Sequence, residues 1–226
     1  MPQYQGVDKH TRPLSKVAPG LAESGQDKCG LRPLRRRPAL AGLLCGAALA
    51  ASLASPAAEV AGIRFEERTR IAEGLPELVL NGAGIRSKFF VKVYAAGLYL
   101  PEKAGSTDAV LTLPGPKRVR MHFIHSEVSG EKIRSGWTDG YRANHSDAEY
   151  AELEDRVQRF NALFPTLKAG DVVDVDYIPG SGTAVRLNGE TQGIIPGDDF
   201  YPATLKIWLG DSPAHGGLKK ALLGEG

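Results

Sequence analysis

Short apolar runs rich in β-branched and aromatic residues recur along the second part of the chain. The longest, Phe89–Leu100, contains no proline and follows a shorter run, 78–80, across the glycine-bearing segment 81–84. This pattern predicts a strand, a loop and a central strand. Because side chains alternate along a strand, we expect two faces in the second run. One face comprises Phe89, Val91, Val93, Ala95 and Gly97, and the other comprises Phe90, Lys92, Tyr94, Ala96 and Leu98.

Alternation also predicts strands at 118–125 and 172–178. In the first, we expect Val119, Met121 and Phe123 to face the core and Arg118, Arg120 and His122 to face solvent. In the second, Asp174 and Asp176 share a face that we also expect to be exposed. The Asn188-Gly189 pair predicts a hairpin between 183–187 and 191–195, and the charged stretch 63–71 is typical of an edge strand.

Capping residues and helical spacing predict the remaining elements. Ser106 begins a short helix, and Ser129 begins a longer one whose apolar stripe is Ile133, Trp137 and Tyr141. The segment 146–149 is a capping box that opens a further helix, and helices are also expected at 200–209 and 218–223. Strands, then helices, then strands and helices again predict an α+β fold with an antiparallel sheet covered by helices.

The first 58 residues differ in kind from the rest. A basic cluster at 32–37 precedes a charge-free apolar region at 38–51 and then small residues, an order typical of a secretory signal. We therefore expect a leader over 1–58, a single domain over 59–226, and a periplasmic or secreted protein. The apolar region is shorter than the about 20 residues that a transmembrane helix needs, so we expect no stable span after cleavage. An uncleaved anchor is the alternative.

Charge and cysteine content narrow the classes of function. Residues 59–226 carry 20 basic and 23 acidic side chains, a balance that argues against nucleic acid as a partner. Cys29 and Cys45 both lie in the leader, so the domain has no disulfide or thiolate metal site. Asp174 and Asp176 have no further ligand at metal-site spacing. We predict no metal and no cofactor.

The central run places a cation and a phenol beside an apolar wall. Arg86 precedes the run, and Lys92 and Tyr94 lie within it. A guanidinium and a phenol beside apolar surface suit a planar or carboxylated apolar ligand. The alternative is an ordinary strand with a surface arginine and a half-buried tyrosine. Trp137 and Tyr141 also allow two interpretations. They either pack in the core or form part of the wall of a ligand site.

Two segments resemble motifs of the chalcone isomerase superfamily, in particular its bacterial chalcone-isomerase-like branch. They are LNGAGIRSKFFVKVYAAGLYLPEK at 80–103 and FYPATLKIWLGDSP at 200–213. The resemblance implies the open-faced sandwich of that superfamily, in which helices cover a large antiparallel sheet and leave a cleft.

The plant enzymes of this superfamily close a phenolate onto an enone. They use an arginine, a strand threonine, a tyrosine and an asparagine on a helix, and a late threonine or serine. Here Arg86 matches the arginine and Tyr94 stands near the strand threonine, whereas the other positions fall near Ile133, Gly140 and Gly193. Losing most of these oriented donors weighs against that reaction.

The fatty-acid-binding members resemble the chain more closely at these positions. They imply that Arg86 with Tyr94 or Tyr99 holds a carboxylate, and Lys92, Trp137 and Tyr141 are further candidates to contact the ligand. The leading hypothesis is an exported protein that binds a small apolar or fatty-acid-like ligand. The alternative is an isomerase, an intramolecular lyase acting on a flavonoid-like enone, with Arg86 and Tyr94 as catalytic residues. A third hypothesis is a partner protein whose cleft is filled by aromatic side chains.

Overall fold

The computed structural model describes residues 58–225. The strands are β1 (Ala58–Val60), β2 (Ile63–Phe65), β3 (Arg68–Thr69), β4 (Leu78–Lys88), β5 (Val91–Leu100), β6 (Lys117–Phe123), β7 (Glu127–Val128), β8 (Leu167–Lys168), β9 (Val172–Ile178), β10 (Gly182–Leu187) and β11 (Glu190–Ile195). The helices are α1 (Thr107–Thr112) between β5 and β6, α2 (Gly130–Asn144) and α3 (Asp147–Ala162) between β7 and β8, and α4 (Phe200–Leu209) and α5 (Gly216–Leu222) after β11.

Within residues 58–225, seven strands form one antiparallel sheet in the order β11-β10-β9-β6-β5-β4-β3. Two short antiparallel pairs, β1-β2 and β7-β8, lie outside it. Helices α2, α3 and α4 share the main core with one face of this sheet. The predicted α+β class, an antiparallel sheet with helices against it, is confirmed.

The main core lies between the sheet and the helices. Strand β5 contributes Tyr94, Ala96 and Leu98, which pack with Trp137 of α2 and Trp208 of α4. A smaller cluster lies on the opposite face, where Ala95 and Tyr99 pack with residues that precede β4. The alternation predicted from Tyr94 to Leu98 is therefore confirmed, and both faces of the central strand are buried.

The predicted loop at 81–84 is wrong. Strand β4 runs through these residues with an irregularity between Leu80 and Gly82, and the chain reverses later, at Phe89-Phe90. The glycines allow helix α5 to lie close to the strand. A Cβ at Gly84 would lie 2.6 Å from Ala221 Cβ, and one at Gly82 would overlap the Ala221 carbonyl oxygen. Glycine in a strand interior often marks such close contact.

The prediction that Arg118, Arg120, Asp174 and Asp176 face solvent is also wrong. Arg118 donates to Asp176 through Nε (2.6 Å) and Nη2 (2.8 Å), and Arg120 donates to Asp174 in the same way at 2.7 and 2.8 Å. Arg118 is 3% exposed and Asp176 is fully buried. Their face is covered in part by Phe65, whose ring meets that of His122 edge to face at 5.1 Å.

Phe65 belongs to a stretch that the sequence assigned to one edge strand. The structure divides 63–71 into β2, which pairs with β1, and β3, which lies at the edge of the large sheet. The paired β1-β2 segment helps to cover the face of β6 and β9 that carries these four charges. Alternation within β6 and β9 does not reveal this cover, because it comes from another part of the chain.

The predicted starts of the first four helices are confirmed, whereas α5 begins at Gly216, two residues before the predicted start. Ser106 and Ser129 accept backbone N–H groups of α1 and α2, and Ser146 and Glu149 form the capping box of α3. Asn188 and Gly189 connect β10 and β11, both with positive φ. No helix within 58–225 is both long and apolar enough to cross a membrane. The predicted leader and both cysteines lie outside the described residues.

Candidate ligand-binding cavity

A cavity of about 610 Å³ opens beside the turn end of the β4–β5 hairpin. Its walls come from that hairpin, the segment from the end of β6 to β7, and the first part of α2, and Ile207 and Ala214 complete it. Its volume is in the range of sites for small molecules. Its apolar wall comprises Phe89, Val91, Val93, Phe123, Val128, Ile133, Ile207 and Ala214.

Arg86 places a cation in the wall of this cavity. It lies opposite Tyr94 in the pairing of β4 with β5, and its guanidinium carbon is 5.6 Å from the centroid of the Tyr94 ring. Arg86 lines the cavity, and its Nε is buried without a hydrogen-bond partner among residues 58–225. A buried donor without a partner is costly, and Arg86 as a whole is half-buried, so its guanidinium suits an anionic group of a ligand.

Trp137 brings a second donor of the same kind. Its Nε1 is also buried and unpartnered within the described part of the chain, and the residue lines the cavity. The indole is fixed by aromatic contacts with Phe164 at 5.2 Å, Trp208 at 5.3 Å and Phe160 at 5.6 Å between ring centroids. Arg86 and Trp137 therefore both line the cavity, and each has a buried N–H group without a partner among residues 58–225.

The Tyr94 ring packs against the guanidinium of Arg86. Its hydroxyl oxygen accepts a hydrogen bond from Trp208 Nε1 at 2.9 Å. Burial raises the pKa of Tyr94, and the Arg86 charge and the Trp208 hydrogen bond oppose that change only in part. The phenol is therefore neutral at physiological pH and offers its ring face to the guanidinium.

The structure brings three of the sequence-predicted site residues together, Arg86, Tyr94 and Trp137. The other three, Lys92, Tyr99 and Tyr141, are not among the lining residues. Tyr99 lies five positions after Tyr94, so alternation turns it to the opposite face, where its hydroxyl donates to the Glu66 carbonyl at 3.0 Å.

Tyr141 and Lys92 do not line the cavity, for two different reasons. Tyr141 lies one turn beyond Trp137, in the core, where its hydroxyl shares a 2.6 Å hydrogen bond with Thr204 Oγ1. Lys92 is exposed and lies opposite Ser87. The pairing irregularity between Arg86 and Ser87 breaks the alternation, so Val91 and Val93 line the cavity in its place.

Sequence reasoning missed the polar residues of the cavity wall. His125 follows β6, and Lys132, Ser135 and Asp139 lie along one side of α2. These three positions, with Gly136, fall at i, i+3, i+4 and i+7, a spacing that marks one face of a helix. That polar stripe beside the aromatic one was the signal available in the sequence.

Charges of both signs surround the cavity. Arg86, Lys88 and Lys132 contribute cations, and the carboxylates come from Glu127, Glu131 and Asp139. No group of three or more His, Cys, Asp or Glu side chains within 58–225 is arranged to hold a metal ion. The side chains of the cavity wall offer hydrogen-bond donors and apolar surface to an organic ligand.

A family model described as chalcone isomerase-like matches residues 57–224 of the chain. A crystal structure of a fatty-acid binding protein from Arabidopsis thaliana has a similar fold, with a TM-score of 0.58 and 15% sequence identity. The match covers 72% of this chain and 92% of that one. At this identity the likeness concerns the fold alone. No curated protein matches the sequence.

Proposed function

The chain belongs to the chalcone isomerase-like family, and from this premise we propose that it binds a small apolar ligand that carries a carboxylate, such as a fatty acid. The observation that carries the proposal is Arg86, a cavity-lining cation whose Nε has no hydrogen-bond partner among residues 58–225. The similar fold of a fatty-acid binding protein supports this class of ligand.

The proposed binding mode follows from the donors and the walls. Arg86 holds the carboxylate through its two terminal nitrogens, because the guanidinium fork matches the two carboxylate oxygens. The apolar part of the ligand lies against Val93, Phe123 and Ile133. The Tyr94 ring holds the guanidinium in place without forming an ion pair that would compete with the ligand.

The isomerase alternative gains less support from the hydroxyl groups. That reaction requires Arg86 and several hydroxyl donors to converge on the reacting oxygens. The Tyr141 hydroxyl is bonded to Thr204 inside the core, and the Tyr99 hydroxyl lies on the other face of the sheet. For the third hypothesis, Tyr141 and Trp208 do fill the core, yet a cavity remains beside Trp137.

Native mass spectrometry of the protein purified from its native host tests the proposal, followed by extraction of the bound molecule and titration with palmitate. We expect a co-purifying carboxylated amphiphile. Arg86→Ala should weaken palmitate binding about 10-fold to 100-fold, since it removes charge-assisted hydrogen bonds. Arg86→Lys should recover only part of the affinity, because an ammonium lacks the fork.

Arg142→Ala is the matched control. Arg142 also lies over a tyrosine ring, with its guanidinium carbon 4.1 Å from the Tyr150 centroid, but it does not line the cavity. Its replacement should leave palmitate binding unchanged. Equal affinity of the native chain and Arg86→Ala would contradict the proposal and make a chalcone-cyclisation assay the next experiment.

We also propose that the protein is exported to the periplasm or secreted and belongs to the bacterial branch of the family. Support comes from the basic, apolar and small-residue order within 32–58 and from the segment 200–213. Fractionation of native cells with N-terminal sequencing tests export. A mature terminus near 54–59 is expected, and a cytoplasmic chain that retains its leader would contradict the proposal.

A further inference from the structure

The turn of the β4–β5 hairpin exposes two aromatic side chains to solvent. Phe89 is 90% exposed and Phe90 is fully exposed, and the neighbouring Val91 is half exposed. Three consecutive exposed apolar residues form a patch that a soluble domain does not need for folding, and such patches mark interaction sites. We call residues 88–92 the hairpin tip.

The hairpin tip projects beyond the sheet. Strand β6 pairs with β5 only as far as Tyr94, and β3 pairs with β4 only at the far end, at Leu78 and Val79. Residues 87–92 are therefore a two-stranded ribbon with neither edge paired in the large sheet. Three residues of strand beyond Val93 correspond to a projection of about 10 Å.

Phenylalanine at this turn is not explained by turn geometry. Phe89 adopts φ +56°, a left-handed conformation that is uncommon for bulky residues and that glycine or asparagine usually occupies in tight hairpins. The other two-residue hairpin turns within 58–225 are Ala61-Gly62 and Asn188-Gly189, and each has glycine at its second position. Two consecutive phenylalanines therefore distinguish the turn at 89–90 from the other two.

Charge distinguishes the tip from the rest of the domain. Arg86, Lys88 and Lys92 lie in or beside it, and no Asp or Glu occurs from 78 to 101. Residues 59–226 as a whole are mildly acidic, so the hairpin itself is a basic segment, and the carboxylates near it, Glu127, Glu131 and Asp139, lie across the cavity. Aromatic side chains flanked by lysines are suited to the interface of a bilayer with anionic lipids.

We propose that the hairpin tip docks on the surface of a bilayer that contains anionic lipids. Phe89 and Phe90 enter the headgroup and acyl boundary, and Lys88 and Lys92 contact lipid phosphates. The projection of about 10 Å matches the depth of about 5–10 Å at which amphipathic segments lie in this boundary. A second copy of the chain is a poorer occupant, because a stable interface buries about 800 Å² per partner and two rings supply roughly half.

Docking at the tip has a consequence for the cavity. Lys88, Phe89 and Val91 belong to both the tip and the cavity wall. A docked molecule therefore turns the cavity opening toward the bilayer, where an apolar acid dissolves. This consequence rests on the proposed binding function, whereas docking itself does not.

Co-sedimentation of the protein, purified as its native host processes it, with phosphatidylcholine vesicles, with and without phosphatidylglycerol, tests docking. Phe90→Ser should weaken binding about tenfold or more, since it removes a ring from the boundary. Lys92→Gln should weaken binding about fivefold, and only to vesicles with phosphatidylglycerol. The matched control is Ile194→Ser, because Ile194 is half exposed on β11 at the opposite edge of the sheet. It should bind as the native chain does.

A spectroscopic variant locates the contact. Trp137 and Trp208 are buried, so the added indole of Phe90→Trp reports on the tip, and its emission should shift to shorter wavelength on vesicles. Binding that is equal for Phe90→Ser and the native chain, or binding without this shift, would overturn the proposal. So would a dimer in sedimentation that Phe90→Ser abolishes, which would assign the tip to a second copy.

Palmitate titration keeps this test separate from the proposed function. Phe90 and Lys92 do not line the cavity, so their variants should bind palmitate as the native chain does. Loss of vesicle binding with intact palmitate binding supports docking alone. Vesicle binding in a chain that fails to bind palmitate retains docking and rejects the ligand.

Discussion

At the scale of single residues, the chain places its charges in two different settings. Arg118 and Asp176 are buried together and satisfied by two hydrogen bonds, whereas Arg86 keeps a buried donor without a partner among residues 58–225. A paired charge in the interior stabilises the fold only while both partners are present. The unpaired donor instead favours binding of an acceptor, so the first setting is structural and the second is suited to a ligand.

Asp176→Ala should destabilise the fold by about 3–5 kcal/mol, because it removes both hydrogen bonds of Arg118 to Asp176 and leaves this buried guanidinium with only a longer 3.6 Å contact to the Asp174 carboxylate. Urea denaturation measures the change. Arg68→Ala is the matched control, since the Arg68–Glu77 pair is exposed and should contribute about 0–1 kcal/mol. Similar losses for Asp176→Ala and Arg68→Ala would show that the buried pair is not structural.

At the scale of elements, the contact of α5 with β4 depends on glycine. The helix lies so close to the strand that Gly82 and Gly84 have no room for a Cβ. On the same face of β4, the next position after Gly84 is Arg86, and Ala214, just before α5, lines the cavity. Where the helix stops covering the strand, the cavity begins.

Gly84→Ala should destabilise the fold by about 1–3 kcal/mol, because the new methyl group meets Ala221 Cβ at 2.6 Å. Ala221→Gly in the same chain should recover part of this loss, measured by a double-mutant cycle in urea. Gly82→Ala should not be recovered, since its obstacle is the Ala221 carbonyl oxygen. Gly136→Ala has open space in α2 and should stabilise by about 0.5–1 kcal/mol. Strictly additive effects of Gly84→Ala and Ala221→Gly would contradict the contact.

Local signals in the sequence predicted the elements well, and long-range contacts account for the errors. Ser129 begins α2, and Asn188-Gly189 forms a hairpin, because neighbouring residues decide both. The face of Arg118 was mispredicted because a distant segment, 58–65, helps to cover it. Of the cavity residues, Arg86, Tyr94 and Trp137 were predicted, whereas the contribution of His125 depends on how β6 and α2 meet in space.

At the scale of the whole molecule, buried phenols make the fold sensitive to alkali. Burial raises the pKa of Tyr94 and Tyr201 above 10, and that of Tyr99 to about 12. Above pH 10, the folded chain keeps protons on these phenols that the unfolded chain releases. The free energy of unfolding is therefore at its full value below pH 10 and falls as the pH rises above 10. These tyrosines belong to both faces of the sheet, so the effect extends through the domain.

Urea denaturation between pH 8 and pH 12 should show a stability that falls steeply above pH 10. Tyr99→Phe should make the slope of this fall shallower by about 1.4 kcal/mol per pH unit, which corresponds to one proton, since position 99 no longer titrates. Its stability at pH 8 should be lower than that of the native chain, because the hydrogen bond to Glu66 is lost. An unchanged slope above pH 10 would contradict the role of Tyr99.

The buried ion pairs between β6 and β9 also decide which alignment of these two strands is allowed. Arg118 lies directly opposite Asp176, and Arg120 lies opposite Asp174. A slip of one residue would turn the two charges of one strand to the apolar face, away from their partners, and a slip of two would leave one arginine and one aspartate without their partners. Either error would bury unpaired charge, so misaligned chains are rejected during folding by electrostatics. The pairs therefore contribute fidelity of strand alignment as much as stability.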